Sequence, residues 1–137
     1  MNVKVIAFDA DDTLWVNEPY YRQSEEAFCT LLEEYLPRHE LERELLKIEI
    51  TNLGLYGYGI KGFILSMIET AMTVTNNMIS ANTIGEIINP GKQMLNQPIE
   101  LLDGVEEVLK ELKSRYRLVV ATKGDLLDQS ANCVNQT

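Results

Sequence analysis

One segment constrains this chain more than any other. Val3-Lys-Val-Ile-Ala-Phe8 is apolar apart from Lys4 and breaks off abruptly into Asp9-Ala-Asp-Asp-Thr13. A run so short and apolar on both faces reads as a strand buried inside a parallel sheet. Parallel strands need a crossover of a dozen or more residues between them. A second such run, Arg117-Leu-Val-Val-Ala121, ends at Thr122-Lys123-Gly124-Asp125, and helical periodicity dominates what lies between. Strand, long helical insertion, helix and strand together predict an α/β fold: a truncated Rossmann-like parallel sheet core with an inserted α-helical cap. The expected division is 1–15 and 99–128 for the incomplete core, 16–98 for the cap and 129–137 for an irregular, uncharged tail.

Inside the insertion, Tyr21, Glu25, Phe28, Leu32 and Tyr35 recur three and four apart, predicting a helix from about Pro19 to Leu36 that Pro37 stops. Leu41, Leu45, Ile48 and Leu53 mark a second helix. Gly54 to Gly62 holds four glycines and two tyrosines in nine residues and predicts a loop. Phe63, Ile64, Met67, Ile68, Ala71 and Met72 mark a third helix, its methionines read as core filler. Thr83 to Ile88 and Gly91 to Gln97 suggest one or two short helices. Asp103 with Glu106 reads as an acidic capping box for a helix carrying Val105, Val108, Leu109 and Leu112 to about Ser114, supported by a Glu106–Lys110 pair.

A formal net charge of -9 sets low odds on a basic face for nucleic acid, so no nucleic-acid partner is expected. A charge-dense ligand such as a phosphate ester needs local help from a metal, a lysine or backbone N–H groups. Cys29 and Cys133 stand far apart with no CxxC, giving neither a disulfide framework nor a zinc site. The first apolar run is ended by Asp9, too short for a signal segment or a membrane span. The expectation is a cytoplasmic protein without membrane association.

The carboxyl ends of neighbouring parallel strands share one crevice, where ligands bind. Asp9 to Thr13 is therefore expected opposite Thr122 and Lys123. Two carboxylates at i and i+2 just past a strand can hold a hard cation, and the first can attack an electrophile. A solvated turn, with Asp12 or Thr13 capping the next helix, is the competing reading. A calcium EF-hand loop is excluded, because counting from Asp9 its glycine position is Leu14 and its bidentate glutamate position is Tyr20. Magnesium suits the pattern better.

These residues carry a resemblance. Val5-Ile-Ala-Phe-Asp-Ala-Asp-Asp-Thr-Leu14 resembles the first motif of the haloacid dehalogenase-like hydrolases, an apolar strand followed by Asp-x-Asp-x-Thr, and Leu118-Val-Val-Ala-Thr122 resembles their second. Leu102 to Leu112 is similar to the segment leading into that second strand, and the insertion is similar to the family's helical cap. The resemblance implies that Asp9 is the nucleophile taking a phosphoryl group, and that its second oxygen, with the backbone carbonyl of Asp11, binds Mg²⁺. It implies that Asp11 is the general acid and base, and that Thr122 holds a phosphate oxygen. Lys123 does not match the family's phosphate-binding lysine, which stands further along; it either leans over the same phosphate or faces solvent at the strand end. Asp125 is read as the cap of a following helix, with a metal role the weaker alternative, and His39 is given no catalytic part.

The expected function is that of a Mg²⁺-dependent phosphatase of small phosphorylated metabolites, working through an aspartyl-phosphate. The chain resembles only the front half of a complete member, short of the third and fourth motifs, so impaired turnover is expected. The alternative is an inactive fold acting through a partner or through self-association at an open sheet edge. Carbon–halogen hydrolysis is disfavoured, since such a member would lack Asp11. Tyr56, Tyr58 and Lys61 are candidates for contacting the leaving group, with ordinary loop packing as the plainer reading.

Overall fold

A computed structural model of the chain describes residues 2–124. Two strands, β1 (Val5–Phe8) and β2 (Arg117–Val120), pair in parallel, with Val5 beside Arg117 and Phe8 beside Val120. The ladder extends through Arg117 N–H to the Lys4 carbonyl and Ala121 N–H to the Phe8 carbonyl. Five helices lie between the strands: α1 (Glu18–Leu32), α2 (Arg38–Tyr56), α3 (Ile60–Val74), α4 (Ala81–Asn96) and α5 (Val105–Lys113). The fold is α/β with a short parallel sheet, as the sequence predicts. The strands are less buried than predicted, Val5 being 50% and Val120 40% exposed. Among the described residues the sheet has only these two strands, so side chains that a larger sheet would cover keep their exposure.

Two apolar clusters form. Under the sheet, buried Ala10, Leu14 and Trp15 pack with Phe8, Leu101, Val105 and Leu109. Within the insertion, Phe28, Leu32, Leu41, Leu45 and Met67 make a separate core with Phe63 and Ile87. Each large apolar side chain so buried contributes about 1.5–3 kcal/mol relative to exposure. The insertion thus carries its own hydrophobic core. Met67 is core as expected, whereas Met72 is partly exposed.

Three local expectations are corrected. Helix α2 runs through Gly54 to Tyr56, shrinking the Gly54–Gly62 loop to Gly57–Gly59. A glycine inside a helix is unfavourable by about 1 kcal/mol, and the packing of α2 against α3 overrides it. The segment after Ser80 is one helix with Pro90 inside it. A Cβ on Gly91 would lie 2.1 Å from Ile64 Cδ1, so Pro90-Gly91 marks where α4 crosses closest to α3 and not a break. Finally, α5 starts after Gly104, in the left-handed conformation at φ 81° and without a side-chain cap; Glu106 pairs with Lys110 instead of closing a capping box. Among the described residues no helix is long and apolar enough to cross a membrane. Asp125, Cys133 and the expected tail lie outside the described residues.

Candidate active site

The chain leaves β1 through a tight turn. Thr13 and Leu14 N–H groups donate to the Ala10 carbonyl, at 3.1 and 2.7 Å, and Asp12 takes the left-handed conformation at φ 58°, which Asp tolerates better than most residues. The loop exit is then stitched to the segment before α5: Val16 N–H donates to the Glu100 carbonyl and Leu102 N–H to the Leu14 carbonyl. One stretch of chain, 100–102, therefore anchors the Asp9–Trp15 loop and leads directly into α5 and β2.

The carboxylates divide their work. Thr13 Oγ1 donates to Asp9 Oδ2 at 2.8 Å, fixing the Asp9 side chain at the strand end. Trp15 Nε1 donates to Asp11 Oδ1 at 2.9 Å. Asp12 turns away and accepts the backbone N–H groups of Asn17 and Glu18, at 3.0 and 2.9 Å. The capping reading thus holds for Asp12, satisfying amides that open α1, while Thr13 holds Asp9. Trp15 escaped the sequence reading. Its single indole, i+4 from an acid in a turn, was the available signal.

Parallel pairing sets the carboxyl ends of both strands side by side, and an open cleft of about 480 Å³ there is lined by Asp9, Asp11, Ala121, Thr122 and Lys123. All four residues singled out in the sequence meet at it. Thr122 Oγ1 has the Lys123 carbonyl at 3.4 Å, too long to hold the hydroxyl. Lys123 Nζ lies 5.3 Å from the centre of the Tyr58 ring, within cation–π range, so it reaches over the cleft toward the α2–α3 turn. Among the described residues no group of three or more His, Cys, Asp and Glu gathers as a metal cage. Hard oxygens from Asp9 and Asp11 completed by water are the kind of site Mg²⁺ accepts, and zinc would demand a fuller set of protein ligands.

A second cavity, of about 310 Å³, continues from the first, because Asp11 and Lys123 line both. Its other walls come from α1, α2 and α3. Tyr56 and Tyr58 line it; Lys61 does not. Two of its residues were not anticipated. Glu49 lines the cavity half-buried, and burial, reinforced by Glu25, pushes its carboxyl up to about 7. Buried Asn52 donates to Ser66 Oγ at 3.1 Å and to Glu69 Oε2 at 3.0 Å. Tyr56 also donates to Glu69, and these two hydrogen bonds hold the Glu69 carboxyl below the usual range. Neither Glu49 nor Asn52 had a sequence signal beyond its place on α2.

Residues 3–135 match the haloacid dehalogenase-like hydrolase family. Among solved structures, the chain is similar to a haloacid dehalogenase-like family hydrolase from Xanthomonas campestris, at 40% identity and a TM-score of 0.89, over 98% of this chain and 56% of that one. The chain spans little more than half the length of that hydrolase. No curated protein matches. The family match covers nearly the whole chain, and the strand-end cleft stands where a parallel sheet places its ligands; the chain belongs to the haloacid dehalogenase-like hydrolase family.

Proposed function

We propose that this chain carries the catalytic front of a Mg²⁺-dependent phosphohydrolase for small phosphorylated metabolites, with Asp9 as nucleophile. The observation that carries the reading is the meeting of Asp9, Asp11, Thr122 and Lys123 at one cleft. Asp9, oriented by Thr13, attacks phosphorus through a carboxylate oxygen and becomes an aspartyl-phosphate. Asp11 gives its proton to the leaving alkoxide and later takes one from the hydrolytic water, splitting one hard displacement into two. Trp15 holds Asp11 in place through its N–H. Thr122 donates to a non-bridging phosphate oxygen, and Lys123 shifts from Tyr58 toward the same charge. The second carboxylate oxygen of Asp9 and the backbone carbonyl of Asp11 would hold Mg²⁺, which supplies charge neutralisation for a carboxylate approaching an anion. The helical insertion serves as the cap over the cleft, in a protein of the cytoplasm.

Mg²⁺-dependent release of phosphate from p-nitrophenyl phosphate tests this. Asp9→Asn is expected to lower the rate by about 10³ or more, the scale of losing a nucleophile. Equal rates for the two proteins would remove Asp9 from catalysis in this chain. A second reading rests on another observation: an apolar groove of about 650 Å³ between sheet and α5, lined by Phe8, Leu101, Leu109 and Leu118 beside the exposed Val119 and Val120. It favours a fold without turnover that works by self-association at this sheet. Sedimentation of a concentration series decides, since a monomer throughout removes that reading.

A further inference from the structure

The 310 Å³ cavity has a polar character that the phosphohydrolase reading alone does not use. Among the described residues its charged lining groups are Asp11, Glu18, Glu49 and Lys123, three acids against one base. Lys123 belongs with the phosphate cleft, leaving the rest of the cavity acidic. Glu49 has neither a hydrogen-bond donor nor a cation beside it among the described residues, and the charged group that bears on it most is another acid, Glu25 on α1. Asn52, one turn further along α2 and 7% exposed, has committed its amide N–H donors to Ser66 and Glu69. No donor reaches its carbonyl oxygen among the described residues. Buried or half-buried acceptors left without donors are unfavourable, and this cavity has one of each on α2. The rings of Tyr21 and Phe63, 5.0 Å apart, and of Tyr58 complete the wall, and tyrosine faces also favour cations.

We propose that this cavity receives a leaving group bearing an ammonium, held by the Glu49 carboxylate and the Asn52 carbonyl oxygen, making the substrates phosphate esters of small amino alcohols. The inference rests on the phosphohydrolase reading, because phosphate at the strand-end cleft presents its ester oxygen to Asp11, the residue through which the two cavities join. A neutral polyol would supply hydrogen bonds to the same acceptors but no counter-charge to draw the proton from Glu49, whose burial favours its neutral form. An ammonium supplies both.

The test is isothermal titration of the full chain in Mg²⁺ with two probes of equal reach, O-phosphoethanolamine and ethyl phosphate. The amine probe is expected to bind at least about tenfold more tightly. Glu49→Gln should collapse that ratio to within about twofold without moving the Kd of ethyl phosphate. Equal Kd values in the natural chain, or a ratio that survives Glu49→Gln, overturn the ammonium site and leave the phosphohydrolase reading standing. An amine preference in a chain whose phosphate release is unchanged by Asp9→Asn does the reverse. Binding of neither probe overturns both.

Discussion

The loop after β1 and the wall of the second cavity are both polar, and they are built in opposite ways. In the loop each acid has a donor: Thr13 for Asp9, Trp15 for Asp11, two backbone amides for Asp12. On the cavity wall, Glu49 and the Asn52 carbonyl oxygen have none among the described residues, while Glu69 beside them takes two. The loop is preorganised by its own hydrogen bonds, which is what the proposed nucleophile and acid would require. The wall keeps unfilled acceptors, so a ligand arriving there gains interactions that the protein alone does not make.

The loop is where the larger losses are expected. Trp15 is 5% exposed and ties the Asp11 side chain to the apolar cluster under the sheet. Trp15→Ala should destabilise the chain by about 3–5 kcal/mol in chemical denaturation, the usual range for emptying a large aromatic site. Trp15→Phe keeps most of the packing and removes the N–H, so it should cost about 1–2 kcal/mol and lower kcat more than its stability loss explains. If Trp15→Phe left phosphate release untouched, the link from indole to Asp11 would be packing only. Asp12→Ala removes the acceptor of two amides and puts alanine at φ 58°. A loss of about 1–2 kcal/mol is expected, with Asp12→Asn recovering much of it.

How much of this could be read in advance follows from sequence distance. The turn is local: Asp9 meets Thr13 and Asp11 meets Trp15 four residues on, so chemistry and neighbours are printed together. The strand ends were legible because parallel pairing puts Thr122 opposite the Asp9 loop once two apolar runs are recognised. The cavity wall was not. Asn52 meets Ser66 and Glu69, Glu25 on α1 raises the Glu49 carboxyl, and Lys123 lies over Tyr58; each depends on tertiary packing, which periodicity leaves open. Gly54 and Pro90 misled for the same reason, since local preference pointed to breaks that helix–helix packing overrides.

The wall should respond to pH through Glu49. The folded chain keeps a proton on Glu49 up to about 7, and the unfolded chain releases it near the ordinary glutamate value of 4.5. Between those values unfolding releases a proton, so this group's share of stability is fully present below about 4.5 and is lost as pH rises through 7. Glu49→Gln removes the dependence. It should be about 1–2 kcal/mol more stable than the natural chain at pH 8, a value discounted for partial exposure, and nearly equal to it at pH 4.5. A denaturation series giving parallel pH profiles for the two proteins would mean that Glu49 is solvated like any surface acid.

The smallest expected effect lies where the two regions touch. Lys123 extends from the strand end and Tyr58 from the α2–α3 turn, and their contact at 5.3 Å joins the cleft to the cavity. Tyr58 is 52% exposed, so the pair is worth about 0.5–1 kcal/mol. A double-mutant cycle with Tyr58→Leu and Lys123→Met isolates that coupling from the separate losses of each side chain. If Lys123 leaves the ring to meet phosphate, saturating inorganic phosphate with Mg²⁺ should reduce the coupling toward zero. An unchanged coupling would assign Lys123 to the cavity wall and leave Thr122 alone to hold the phosphate from β2.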